Sequence, residues 1–201
     1  MPRVHTAPGR VLTTEDYASS FFEIFHEFEG VIWKLERAQS FDEGSDPSWN
    51  AMVRGEWRRS LTLLDEAREA IAADLPARGQ LRRLRVVEWP LTPYMQWELH
   101  LLALRSRLGE RGRVIAAPEV SLFESGAPLP ELVIFPGLRM YHVLYDSRGA
   151  CTGAREITGG AFVEPWTSAV AALYERAEEL VGYVERRVRP LAPPRLVPAL
   201  P

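Results

Sequence analysis

The sequence predicts an α/β fold: a mixed sheet, parallel in its first half and an antiparallel meander in its second, covered by about four helices. Three observations predict it. From residue 14 to residue 117, segments of helical period alternate with short strand-like runs, the pattern of parallel neighbours joined by right-handed crossovers. After residue 131 the apolar runs shorten and are separated by tight turn sequences, the pattern of a meander. The 201 residues, 46% hydrophobic and 25% charged, suit one substantial core. The expected organisation is a flexible arm over 1–13, a single α/β domain over 14–188 and a proline-rich tail over 189–201.

The arm holds Pro2, Pro8 and Gly9 without periodicity. Thr13, Thr14, Glu15 and Asp16 form a helix start, with a hydroxyl cap and acids at the positive helix end. Tyr17, Phe21, Ile24, Phe25 and Phe28 follow as a stripe that packs into the core, ending near Gly30. Trp33 and Leu35 alternate with Lys34 and Glu36 in a strand at 31–37. A loop at 40–50 leads to one long helix over 47–74, with Gly55 as a point of kinking or splitting. The second strand is 81–89. Thr92 and Pro93 cap and open the third helix, which ends at Gly109 or Gly112. A third strand at 113–117, a loop at 118–130, strands at 132–135, 139–145 and 150–157, and a last helix over 163–188 complete the order. Five prolines in the tail favour an extended conformation.

Composition excludes several classes. A formal charge of −3 gives no global attraction to nucleic acid. The basic residues are 23 arginines and one lysine, Lys34. The arginines at 82, 83, 85, 105, 107, 111 and 113 cluster in sequence, but a nucleic-acid interface needs them on one face with aromatic platforms. One cysteine, Cys151, forms no internal disulfide and no cysteine-based zinc site. The first 14 residues show no signal core, and no apolar run approaches the ~20 residues of a membrane span. A cytoplasmic location is expected.

The segments "FFEIFHEFEGVIWKLE", "LRRLRVVEWPLTPYMQWEL" and "LPELVIFPGLRMYHVLYDSRGACTGAREI" resemble an uncharacterised bacterial domain family of filamentous high-GC bacteria. Its members are often encoded beside helix-turn-helix regulators. The resemblance covers about residues 20–160, and its best block contains Glu88, Pro90, Tyr94 and Glu98. In the late block Glu131 stands at one end of the apolar strand, but Pro136 and Gly137 replace the acid usual at the other. The resemblance implies no activity; it points to regulation, with a helix-turn-helix regulator as the kind of partner.

Familiar catalytic patterns are missing. None of His5, His26, His100 and His142 has metal-ligand spacing. A phospholipase-D-like half-domain needs a lysine two residues after its histidine, where His142 has Leu144. "GGAFVEPW" at 159–166 is not a phosphate loop, and no G-x-S-x-G elbow occurs. No cofactor and no metal is expected. The candidate ligand-binding residues are Glu36, Arg37, Glu88, Thr92, Tyr94 and Glu98. Parallel pairing of the first two strands would bring their carboxyl ends, and the helix start at Thr92, to one rim. The reading is a non-catalytic regulatory or binding module that acts through a protein partner or a small polar ligand. The alternative is an enzyme with an acid-dependent site at that edge. A homodimer is compatible with the sequence.

Overall fold

The computed structural model describes residues 4–124 and 126–195. Its strands are β1 (Arg10–Leu12), β2 (Val31–Glu36), β3 (Gln80–Val87), β4 (Arg111–Ala116), β5 (Leu132–Phe135), β6 (Arg139–Tyr145), β7 (Cys151–Ile157) and β8 (Glu178–Glu179). They form one mixed sheet in the order β1-β7-β6-β5-β2-β3-β4-β8. β2, β3 and β4 are parallel, and every other pairing is antiparallel.

The helices are α1 (Thr14–Phe25), α2 (Pro47–Val53), α3 (Trp57–Glu66), α4 (Arg68–Ala73), α5 (Pro93–Arg107), α6 (Ala117–Val120), α7 (Gly160–Arg176) and α8 (Leu180–Tyr183), the last continuing as a π-helical turn over Val184–Val188. Local chemistry sets the starts. The side chains of Thr13, Asp46 and Thr92 accept from the backbone N–H groups of Asp16, Trp49 and Met95, and Pro47 and Pro93 open their helices where no N–H is needed.

The structure departs from the sequence expectations in four places. Residues 10–12, expected within a flexible arm, pair with β7, and Val4, Ala7 and Leu12 are buried. The helix expected over 47–74 is three helices. Gly55 breaks it at φ +78, a conformation that favours glycine, and a second break falls at Ala67. The helix expected over 163–188 stops at Ala177, whose backbone is extended; β8 then adds a two-residue edge beside β4. The fourth departure is α6, which stands at the start of the stretch expected as a loop over 118–130, so that eight α-helical segments occur among the described residues where four helices are expected. Residues 1–3 of the arm and 196–201 of the tail lie outside the described residues.

β1 can lie close to β7 because of Gly153. Its φ is +128, and a Cβ there would stand 2.0 Å from the Leu12 carbonyl oxygen. Only glycine fits both constraints.

Two layers cover the sheet. On one face, Val163, Trp166, Val170 and Leu173 of α7 pack on Trp33, Leu35, Leu84, Val86 and Ile115. On the other, α5 packs over Val87 and Val114, and α1 packs over Ile32, Leu81, Val133, Phe135 and Tyr141. α3, α4 and α8 pack on α5, so α5 is buried nearly all round. Trp97 is its anchor: it is 1% exposed, and its indole N–H donates to Ser48 Oγ at 2.8 Å. Burying side chains of this size stabilises the fold by ~1.5–3 kcal/mol each. Because α1 and α5 share a face but stand over different strands, the sheet between them forms the floor of a cleft.

Candidate functional site

The cleft has a volume of about 500 Å³, within the range of small-molecule sites. Lys34, Glu36, Leu81, Arg83 and Val133 line its floor. Tyr17, Phe21, Phe22 and Phe25 of α1 form one wall; Tyr94, Glu98, Leu101 and Leu102 of α5 form the other. Phe41, Asp42, Glu43, Tyr145 and Cys151 stand at its rim. The α1 stripe is therefore only partly core. Phe25 is buried, but Tyr17 and Phe21 keep surface open to the cleft and Phe22 is half exposed.

Strand alternation builds the polar floor. Side chains point to opposite faces with a period of two, so Lys34 and Glu36 share a face. The parallel register sets Lys34 beside Arg83 and Glu36 beside Arg85, and the same alternation keeps Arg83 and Arg85 on that face. Glu36 binds Lys34 at 2.9 Å and Arg83 at 2.6 Å. Arg83 also pairs with buried Glu110. Glu110 binds Arg105 at 2.8 Å, and Arg105 reaches Asp74 at 2.9 Å. Five contacts thus link six charges in one chain. Nearby, Arg85 binds Glu98 at 2.8 Å.

The carboxyls respond differently to these surroundings. Burial alone would raise Glu36, but Arg83 and Lys34 outweigh it and hold the group well below the usual carboxylate range. Arg83 and Arg105 likewise overcome burial at Glu110 and lower it. At Glu98 burial prevails over Arg85 and the carboxyl is raised. Burial also raises Glu43, although the Tyr94 hydroxyl donates to it at 2.6 Å. Glu98 Oε1 lies 3.2 Å from the same hydroxyl, so one phenolic proton stands between two carboxyls. Beside the cleft, Glu131 lines a smaller cavity of about 230 Å³ with Tyr17, Glu36, Tyr145 and Cys151. Burial pushes Glu131 up to about 7, against the pull of the Ala38 N–H it accepts at 2.7 Å.

The six sequence candidates divide into two groups. Glu36, Tyr94 and Glu98 meet at the cleft. Arg37, Glu88 and Thr92 do not. Arg37 follows Glu36 directly, and the alternation that turns Glu36 into the cleft does not bring Arg37 with it. Its guanidinium binds Glu88 at 2.7 Å and Glu124 at 2.6 Å. Glu88 is solvent-facing, with its side chain 49% exposed. Thr92 donates to the Gln39 carbonyl at 2.7 Å as well as capping α5. Gln39 ties this edge together: it donates to Val86 O and accepts from Glu88 N, each at 2.9 Å. A single rim holding all six residues is therefore not what the fold builds.

Sequence reasoning missed Lys34, Glu43, Arg83 and Glu110. Two signals were available. Lys34 is the one lysine of the chain, and it shares strand parity with Glu36. The arginines of β3 also divide by parity: Arg83 and Arg85 turn inward and are buried, whereas Arg82 lies 5.4 Å over the Trp33 ring on the other face. Among the described residues, no group of three His, Cys, Asp or Glu is arranged to hold a metal ion.

A family model described as a domain of unknown function (DUF6879) matches residues 19–185. No curated protein matches the chain. Among solved structures, the chain is similar to TrmBL2, an archaeal chromatin protein with a novel mode of DNA binding, at 9% identity and a TM-score of 0.45. That match covers 89% of this chain, which spans 56% of the length of the other. At that score the likeness carries no argument here.

Proposed function

The chain belongs to the DUF6879 family of domains of unknown function, and we propose that it is a non-catalytic ligand-binding module whose cleft between α1 and α5 takes a small polar molecule with an apolar body. The observation that carries this reading is the floor. Glu36 and Arg83 are buried and ion-paired beneath an open space of about 500 Å³ walled by aromatic rings. Pre-arranged polar groups under apolar walls are the ordinary construction of a small-molecule site. The ion pairs support binding over turnover, because Glu36, Arg83 and Glu98 are each held by an opposite charge.

The proposed role is regulatory and cytoplasmic, with ligand occupancy passed to a protein partner such as a helix-turn-helix regulator. The family resemblance and the exposed Leu122, 89% accessible beside half-exposed Phe123 after α6, support a partner surface. The inward turn of Arg83 and Arg85 speaks against the arginines as a nucleic-acid face. No helix among the described residues is long and apolar enough to cross a membrane.

One observation favours the enzyme as a second reading. Glu131, raised to about 7, would have the proton affinity of a general acid or base at neutral pH.

The test is an NMR fragment screen on the full chain, with amide shifts mapped onto the fold. Small molecules should shift the amides around Tyr17, Lys34 and Glu98, and Lys34→Ala should change those responses while the melting curve stays cooperative. A screen with hits only outside the cleft, or with none, would overturn the small-ligand reading.

A further inference from the structure

The charges of the cleft do not balance, and this deepens the proposed binding function, on which the inference rests. Three basic side chains line the space: Lys34, Arg83 and Arg105. Each is already engaged, Lys34 with Glu36, Arg83 with Glu36 and Glu110, and Arg105 with Glu110 and Asp74. Glu98 is engaged by Arg85 from behind the wall. Asp42 and Glu43 remain, and among the described residues neither has a basic side chain within ion-pair distance. Glu43 receives only the neutral Tyr94 hydroxyl.

Aromatic rings line the cleft beside this carboxyl, and the buried Arg85 guanidinium lies 5.8 Å over one of them, Phe41. The Phe41 ring lies 4.6 Å from that of Tyr145 and 5.7 Å from that of Tyr94 between centroids. Phe41, Tyr94 and Tyr145 all line the cleft with Glu43, and Tyr17 faces them from α1. Electron-rich ring faces attract organic cations, most strongly where water is excluded. A carboxylate without a basic partner supplies the negative charge that fixes such a cation by a charge-assisted hydrogen bond. Burial raises the proton affinity of Glu43 against the pull of the Tyr94 hydroxyl and of the Lys34 charge, so the basic groups present leave it incompletely neutralised.

We infer that the cleft recognises an organic cation, an ammonium or guanidinium on an apolar body, with the charge at Glu43 inside the Phe41–Tyr94–Tyr145 cage and the body along Phe21, Phe25 and Leu102. An anionic ligand finds its basic partners occupied. A neutral ligand leaves the Glu43 charge uncompensated.

The probes are 3-phenylpropylammonium, its neutral counterpart 3-phenyl-1-propanol and the anion 3-phenylpropionate, titrated into the full chain by calorimetry with amide shifts as the site readout. The cation should bind the cleft about tenfold or more tighter than the neutral compound. Glu43→Gln should abolish that preference. Tyr145→Leu, at the partly exposed end of β6, should weaken the cation by several-fold and leave the alcohol nearly unchanged, with a cooperative melting curve as the check that the fold is kept. If the alcohol or the anion binds the cleft as tightly as the cation, the cation assignment falls while the cleft stands as a binding site. If none of the three shifts cleft residues, the inference falls; the proposed function falls separately if the wider fragment screen also leaves the cleft empty.

Discussion

Arg85 Nε and Glu98 Oε2 meet at 2.8 Å with their side chains 0% and 5% exposed, so a strand of the sheet and a helix that covers it are joined by a charge pair almost sealed from water. Further contacts make up its setting: Arg85 Nη2 approaches Met95 Sδ at 2.8 Å, the Arg85 guanidinium lies 5.8 Å over the Phe41 ring, and Glu98 Oε1 faces the Tyr94 hydroxyl at 3.2 Å. Removing one member strands a buried charge, whereas removing both replaces the pair with packing.

Arg85→Met should therefore destabilise the protein by about 3–5 kcal/mol. The double variant Arg85→Met/Glu98→Leu should recover most of that loss. Urea unfolding of both variants checks the pair, and a double variant as unstable as the single one would show that neighbouring contacts, not the stranded charge, set the cost.

Trp97→Ala should cost about 3–5 kcal/mol, because the side chain is 1% exposed and its N–H is engaged by Ser48. Trp97→Phe, which keeps most of the volume, should cost less. A calorimetric melt of Trp97→Ala within a degree or two of the parent would contradict the burial.

Glu131 predicts a pH dependence. Its folded value of about 7 lies above the unfolded one, so between the two the folded state binds more protons and stability falls as pH rises. The contribution is full below about pH 4.5 and is lost through pH 7, at most about 3 kcal/mol. Glu131→Gln should flatten the fall between pH 5 and 7.5 in denaturant midpoints. An unchanged slope would assign it to other groups.

Deleting residues 190–201 should leave a cooperative fold. The described part of this segment gives Gln96 Nε2 an acceptor, the Ala192 carbonyl at 2.8 Å, and places Leu191 against a groove lined by Trp57, His100 and Leu104. Loss of that bond at a buried amide should cost about 1–2 kcal/mol. A truncated chain without a melting transition would give the segment a larger role.

Gly153→Ala should destabilise by about 2 kcal/mol or more, since the backbone is left-handed and a Cβ meets the Leu12 carbonyl. Hydrogen exchange should show β1 amides opening first. Protected β1 amides in the variant would mean that β1 and β7 adjust around the methyl group.

What the sequence reveals and what it hides differ in range. Thr92 and Pro93 announce α5 because a cap acts over three residues. The meander is legible because its turns, at Pro136–Gly137 and at Asp146–Gly149, lie between neighbouring strands. β1 is hidden: Arg10, Val11 and Leu12 are too few to show a period, and their pairing depends on Gly153 far along the chain. The breaks at Ala67 and Ala177 carry no local signal, for alanine favours helix and only tertiary packing ends it there. The site was half legible. The parallel pairing of β2 and β3 is legible from the alternation of helix and strand, but the expectation of one rim for Glu36 and Arg37 fails because adjacent strand residues face opposite ways. Glu43 could not be foreseen, because its partners come from the placement of α5 and the β6–β7 hairpin around it.

The sheet ends in β1 on one side and β8 on the other, three residues and two. A second chain approaching either margin finds only a few unpaired rungs. At one it meets the exposed Arg10, and at the other the two acids Glu178 and Glu179. The apolar stretches of β3, β5 and β6 have neighbours on both sides. The segments most able to seed intermolecular β-stacking are thus kept from the margins, so the native protein should resist self-templated aggregation even when concentrated.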